Sequence, residues 1–179
     1  MVSKFEFPRY TYNDYKNWKE DWEMIDGYPL QLLPSASFKH SKIQSKLIFQ
    51  GLSSLSSLNS FGKNCICELC NELDWIINDQ TVVRPDIMIV CQEVKENFLT
   101  FPPTLVIEIL SPSNIKTDRV IKFELYQENG VQFYIMVDPN KETVEVFELI
   151  NNAYQQTENN TFQLTKTCQV SFDFEQLWK

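Results

Sequence analysis

The chain has 179 residues, 43% of them hydrophobic and 13% aromatic, which is enough to bury a core and too many for a disordered protein. Its 24 acidic and 16 basic residues give a formal charge of -8, which excludes a large non-specific nucleic-acid surface but leaves room for a local basic patch. No apolar run approaches the ~20 residues of a membrane span, and the opening MVSKFEFPRY lacks a secretory apolar region, so we expect a cytoplasmic, non-membrane protein forming one domain over residues 1–179.

Thr11–Lys19 (TYNDYKNWK) predicts a short helix whose task is to pack Tyr12, Tyr15 and Trp18 against the body. Trp22–Ile25, Asp26-Gly27 and Tyr28–Leu33 predict strand, turn and strand, because Asp-Gly is a strong hairpin signal; Pro34 ends the second strand. Ser35–Leu58 is the longest helical candidate. Ser35 or Ser37 can cap it, and Ile43, Leu47, Ile48, Leu52, Leu55 and Leu58 recur at helical spacing. Gly51 costs about 1 kcal/mol against alanine in that helix and signals a bend or a close approach. His40, the only histidine, falls in the first turn, where a surface or capping role is the plain reading.

Cys65–Leu69 and Leu73–Ile77 predict a second hairpin across Cys70–Glu72. Within it, Cys65-x-Cys67-x-x-Cys70 has a non-standard spacing for zinc, no histidine nearby and no fourth ligand. The cysteine count is odd, which disfavours a disulfide framework. Cys65, Cys67 and Cys70 are therefore expected to be unbridged and metal-free.

Val82–Cys91 reads as a strand interrupted at Arg84-Pro85, since proline cannot donate to a ladder; clean pairing is expected from Asp86. Thr104–Leu110 is nearly all apolar, as suits a strand buried on both faces, and Ser111–Asn114 ends it. Thr117 or Asp118 can cap the helix that follows, and Gly130 sits where a closing glycine belongs. Gln132–Val137 is the next strand. Thr143–Leu149 alternates like an outer strand, Asn151–Asn160 is a polar hairpin region, and Phe162–Val170 is an edge strand. Phe172–Trp178 is a tail docked by Phe172, Phe174, Leu177 and Trp178. Asp86–Val90, Thr104–Leu110 and Gln132–Val137 should be the central strands of a mixed sheet with Thr117–Asn129 packed on it as a helix. The class is α/β or α+β.

Two of these strands each carry a carboxylate where a buried strand should carry none. Ionised groups are rarely buried without a partner or a metal. Alternation puts Val106, Glu108 and Leu110 on one face and Leu105, Ile107 and Ile109 on the other. On the helix, Lys122 lies at the edge of the face that Ile121 and Leu125 would bury, so its stem can run along apolar surface towards the sheet, with Tyr126 beside it. Two carboxylates supply hard oxygen ligands for Mg²⁺ or Mn²⁺, and a nearby ammonium stabilises charge on a phosphate. The implied reaction is phosphodiester hydrolysis; the plain alternative is a buried Glu108–Lys122 ion pair.

The same residues resemble the PD-(D/E)XK nuclease superfamily, and within it the Uma-type family of putative restriction endonucleases. Tyr10–Tyr15 (YTYNDY) and Trp22–Gly27 (WEMIDG) look like that family's opening segments. His40 falls where the family has a histidine starting its long helix. Arg84-Pro85-Asp86, then Pro102–Pro112 with Glu108, then Asp118, Lys122, Tyr126, Gly130, Val131, Tyr134 and Val137–Pro139 match in order over most of the chain. The resemblance implies a restriction-endonuclease-like mixed sheet flanked by helices, here with N-terminal and C-terminal hairpin additions. It implies a Mg²⁺-dependent endonuclease acting on DNA, with Asp86 and Glu108 as metal ligands. The superfamily's lysine stands two residues after the acid; here that position is Leu110, and Lys122 is the substitute the resemblance implies. Glu23, His40 and Tyr126 are possible accessory residues. Arg84, Lys116 and Arg119 border the site and are the candidates for contacting nucleic acid, and cleavage of two strands would favour a homodimer. The rival expectation is a non-catalytic protein of nuclease fold that binds nucleic acid or a protein partner.

Overall fold

The computed structural model describes residues 8–32, 37–60, 65–112 and 115–179. Leu33, Pro34, Ser35, Ser113 and Asn114, and the side chain of Leu58, lie outside the described residues, and with them the turn, cap and packing roles expected there. Ser37 does cap the long helix, its hydroxyl accepting from the His40 amide at 3.2 Å.

Among the described residues the strands fall into a six-stranded sheet, a four-stranded sheet and a two-stranded hairpin. Near the N-terminus are the short helix α1 (Tyr12–Tyr15) and the hairpin of β1 (Trp22–Ile25) and β2 (Tyr28–Gln31). Asp26 and Gly27 turn that hairpin with φ of 52° and 76°, the left-handed pair such a turn requires. Helix α2 (Phe38–Ser60) follows, then β3 (Glu68–Asn71), β4 (Trp75–Asn78), β5 (Thr81–Val83), β6 (Ile87–Val90) and β7 (Leu105–Ile109). The chain continues as a π-helical stretch, Thr117–Lys122, running into α3 (Phe123–Glu128). It ends with β8 (Phe133–Asp138), β9 (Thr143–Ile150), β10 (Ala153–Thr157), β11 (Thr161–Gln163), β12 (Gln169–Ser171) and a short 3-10 turn, Phe174–Leu177.

The larger sheet has the order β10-β9-β8-β7-β6-β3, and the smaller β2-β1-β5-β4. The three strands expected at the centre are neighbours there: β6 pairs antiparallel with β7, and β7 pairs parallel with β8. Alternation divides the apolar residues as expected. Leu105, Ile107 and Ile109 join Ile87, Ile89 and the inner residues of α2 on one face. Val106 and Leu110 join Met88, Trp75, Tyr126 and Tyr134 on the other. Gly51 sits at a close approach, since a Cβ there would meet Leu69 Cδ1 at 2.5 Å. Among the described residues no helix is long and apolar enough to cross a membrane.

Several expectations need correction. Strands β3 and β4 do not form a hairpin: β3 pairs with β6 in the large sheet and β4 with β5 in the small one. The Arg84-Pro85 interruption divides the expected Val82–Cys91 strand into β5 and β6, which belong to different sheets, a change that the local sequence does not show. Strand β10 lies outside β9, joined to it by Asn151 and Asn152, both at positive φ. Phe162–Val170 is not one strand but the β11–β12 hairpin. Helical backbone already begins at Ile115, so Thr117 and Asp118 lie within the helical run rather than capping it.

The expectation that Cys65 and Cys67 are unbridged is overturned as well. Cys65 is bridged to Cys168 and Cys67 to Cys91; Cys70 alone is free. The partners are distant in sequence and the sheet supplies them. Glu68 pairs with Val90, and one further step along that antiparallel register places Cys67 beside Cys91.

Candidate functional site

The crossing between the two sheets builds the site. Strand β5 ends at Val83 in the small sheet and β6 begins at Ile87 in the large one. Asp86 precedes the Ile87–Ile107 pair by one step and so stands across from Glu108. The backbone amide of Ile109 donates to Asp86 Oδ2 at 2.6 Å, and the amide of Asp86 lies 3.4 Å from Glu108 Oε2. Each carboxylate is thus held by the other's strand. His40, at the start of α2, approaches from another side, with Nε2 3.4 Å from Asp86 Oδ1.

Glu108 is 3% exposed, and its Oε1 accepts from Lys122 Nζ at 3.0 Å and from the Tyr126 hydroxyl at 2.7 Å. Lys122 is equally buried. Its ammonium also lies 2.8 Å from Glu23 Oε1 and 3.4 Å from Asp118 Oδ1. Glu23 comes from β1 and is fixed by the Arg84 amide at 2.8 Å. The face of the helical run that meets the sheet therefore corrects the expected one in part. Leu125 packs against the core as expected, together with Ile115 and Phe123, but Ile121 is 39% exposed, and the most deeply buried residues of the run are Asp118, Lys122 and Tyr126, four residues apart. Counting apolar residues misplaced Ile121 because the centre of the buried side is taken by Asp118 and Lys122. The π-helical stretch ends at Lys122, and such stretches occur frequently at functional sites.

The electrostatics follow from burial. Desolvation raises the Glu108 carboxyl well above the ordinary range, against the pull of Lys122; Asp118 is pushed up to about 6 in the same way. Burial works against the charged form of Lys122, but Glu108 and Glu23 more than reverse this and hold its pKa well above the usual value. Burial also works against the charged form of His40, but Asp86, with Glu72 and Asp118, more than reverses this and raises its pKa above the ordinary value. Asp118 Oδ1 is the one buried side-chain oxygen or nitrogen among the described residues without a hydrogen-bond partner. One ammonium thus faces more buried carboxylate than it can neutralise.

Asp86, Glu108, Lys122, Glu23, His40 and Tyr126 meet here. The cations named for nucleic acid are placed differently. Lys116 is exposed. The Arg84 guanidinium is engaged by Asp74 at 2.7 Å and Asp21 at 2.5 Å, and that of Arg119 pairs with Glu145. Asp118 received no site role from sequence reading. Its signal was the spacing Asp118-x3-Lys122-x3-Tyr126, which puts all three on one helical face. Tyr134 was missed too: its hydroxyl holds the Asp118 carbonyl at 3.0 Å.

The chain is 29% identical over 149 residues to an uncharacterized protein of Synechocystis sp., covering 79% of this chain and 75% of that one. Its fold is similar to a crystal structure from Anabaena variabilis described as a putative nuclease belonging to DUF820. The TM-score is 0.70 and the identity 22%, covering 94% of this chain and 97% of that one. The α+β architecture is therefore that of a nuclease-like neighbour. The model of the Uma2 family, described as "Putative restriction endonuclease", matches residues 6–178, and the chain belongs to that family.

Proposed function

We propose that the protein is a nuclease that hydrolyses phosphodiester bonds in DNA with a divalent metal, Mg²⁺ or Mn²⁺, held by Asp86 and Glu108. The observation that carries this reading is the meeting of Asp86, Glu108 and Lys122 from separate elements, with Lys122 Nζ 3.0 Å from Glu108 Oε1 and Glu108 Oε2 facing the Asp86 amide at 3.4 Å. The residues fit such an ion. Carboxylate oxygens are the hard donors it prefers. The contact of Glu108 Oε2 with the Asp86 amide is long, and the Asp86 side chain is 21% exposed, open to solvent on one side. The raised carboxyls of Glu108 and Asp118 mark a site short of positive charge.

When bound, the metal polarises a phosphoryl oxygen and lowers the pKa of its water. The chain's own groups do the rest. Lys122, anchored by Glu23 and Glu108, presents a fixed ammonium to charge growing on the phosphate. Tyr126 orients Glu108, and His40 orients Asp86. Exposed Lys116 offers phosphate a contact on an otherwise acidic chain, so binding should weaken steeply with salt. A homodimer would bring two such sites to two strands.

The second reading, a non-catalytic protein of nuclease fold, is favoured by one observation: Lys122 already has three carboxylate neighbours within 3.4 Å. A comparison of the parent with Glu108→Gln decides between them. Mg²⁺ should raise the parent's melting temperature by mass action and support cleavage of DNA, and the variant, which keeps the shape and loses the charge, should do neither. Equal Mg²⁺ shifts in both proteins, with no cleavage by the parent, would leave the non-catalytic reading standing.

A further inference from the structure

Four cysteines gather at the opposite end of β6 from Asp86. Cys67 immediately precedes β3 and Cys91 immediately follows β6; Cys65 lies just upstream and Cys168 enters from the turn between β11 and β12. The two disulfides touch. The Sγ atoms of Cys65, Cys67 and Cys168 all lie within 4.8 Å of one another, and Cys91 is bonded to Cys67. Neither disulfide requires the other as a neighbour. The two bridges bring all four sulfurs into one neighbourhood, with Cys91 Sγ reached through its bond to Cys67. All four side chains belong to the apolar face that α2 covers. Cys70, three residues after Cys67, is turned to the other face, with its Sγ 3.9 Å from the Met88 carbonyl. The objection that Cys65, Cys67 and Cys70 cannot share a tetrahedron stands, but Cys91 and Cys168 remove the need for Cys70.

We propose that Cys65, Cys67, Cys91 and Cys168, when reduced, form a tetrathiolate site for Zn²⁺. Zinc bonds of about 2.3 Å to sulfur in a tetrahedron space the sulfurs about 3.8 Å apart; the Sγ atoms of Cys65, Cys67 and Cys168 already lie within 4.8 Å of one another, and Cys91, once released from its bond to Cys67, supplies the fourth. Soft thiolates select zinc over magnesium, so the site is chemically separate from the carboxylates. Reduction of the two disulfides by a thiol reductant consumes four electrons and four protons and yields four thiols; Zn²⁺ then displaces four protons as the thiolates bind. With four protein ligands no position remains for substrate, so the ion is structural. It would clasp the start of β3, the end of β6 and the β11–β12 hairpin, tying the C-terminal region to the sheet edge.

The test uses the full chain, reduced, stripped of metal by a chelator, and titrated with Co²⁺ as the probe. The parent should bind one equivalent with the strong visible bands of a tetrahedral ion and thiolate-to-cobalt charge transfer. One equivalent of Zn²⁺ should bleach both. A carboxylate site gives no thiolate charge transfer, so the outcome is independent of the nuclease reading. Cys70→Ser should keep the signal, and Cys67→Ser and Cys168→Ser should lose it. Should those variants fail to fold, the zinc-loaded parent carries the test: a mercurial thiol reagent should release one zinc per chain. No charge transfer and no zinc uptake by the reduced parent would overturn the proposal. So would a folded Cys67→Ser with the full signal, or loss of the signal in folded Cys70→Ser.

Discussion

Replacing Lys122 with methionine removes the charge at the centre of the site and keeps much of its volume. The ammonium lies 2.8, 3.0 and 3.4 Å from oxygens of Glu23, Glu108 and Asp118. At an effective dielectric of about 20, each contact of about 3 Å is worth roughly 5–6 kcal/mol before desolvation is counted. Burying the ammonium offsets much of this, and removing one partner of a buried ion pair costs about 3–5 kcal/mol net. For a chain of this size that corresponds to a fall in Tm of about 6–20 °C. The deficit must depend on pH. Glu108 and Asp118 already titrate above their ordinary values, and loss of the ammonium pushes both further up. A carboxyl whose folded pKa exceeds its unfolded value binds more protons in the folded state, so its penalty is full above the folded pKa and disappears as pH falls below the unfolded one. Urea unfolding followed by tryptophan fluorescence, with buried Trp75 5.9 Å from Tyr126 as one reporter, should show Lys122→Met far less stable at pH 8 and largely recovered at pH 5. A variant within about 1 kcal/mol of the parent at pH 8, the size of an ordinary surface change, would refute the reasoning. So would one equally destabilised at both pH values.

Other outcomes follow from the same geometry. Tyr126→Phe removes the 2.7 Å donor to buried Glu108 and should cost about 1–3 kcal/mol by the same unfolding measurement, leaving the secondary structure unchanged by circular dichroism. Asp118, pushed up to about 6 from 3.8, should make the parent lose stability as pH rises from about 4 to about 6, by roughly 3 kcal/mol in total. In Asp118→Asn that loss should vanish, and parallel stability–pH curves for parent and variant would count against the assignment.

The parts of this protein legible in the sequence are those governed by local chemistry. Asp26-Gly27 announced its hairpin because few residues tolerate left-handed backbone, and the period-2 pattern of Thr104–Leu110 set which residues face which core. Asp86, Glu108 and Lys122 stood out because charge inside apolar runs needs a partner. What lay between elements was decided by the tertiary structure. Arg84-Pro85 reads locally as an interruption of one strand, yet it carries the chain from one sheet to the other, and that crossing brings Glu23 of β1 to Lys122. The helix presents Asp118, Lys122 and Tyr126 inwards because Glu108 waits there; a pattern of apolar residues cannot reveal a polar buried face. Cys67 finds Cys91 through strand register, and Cys65 finds Cys168 across 103 residues. Sequence spacing reports only neighbours along the chain, and these partners become neighbours only when the sheet forms.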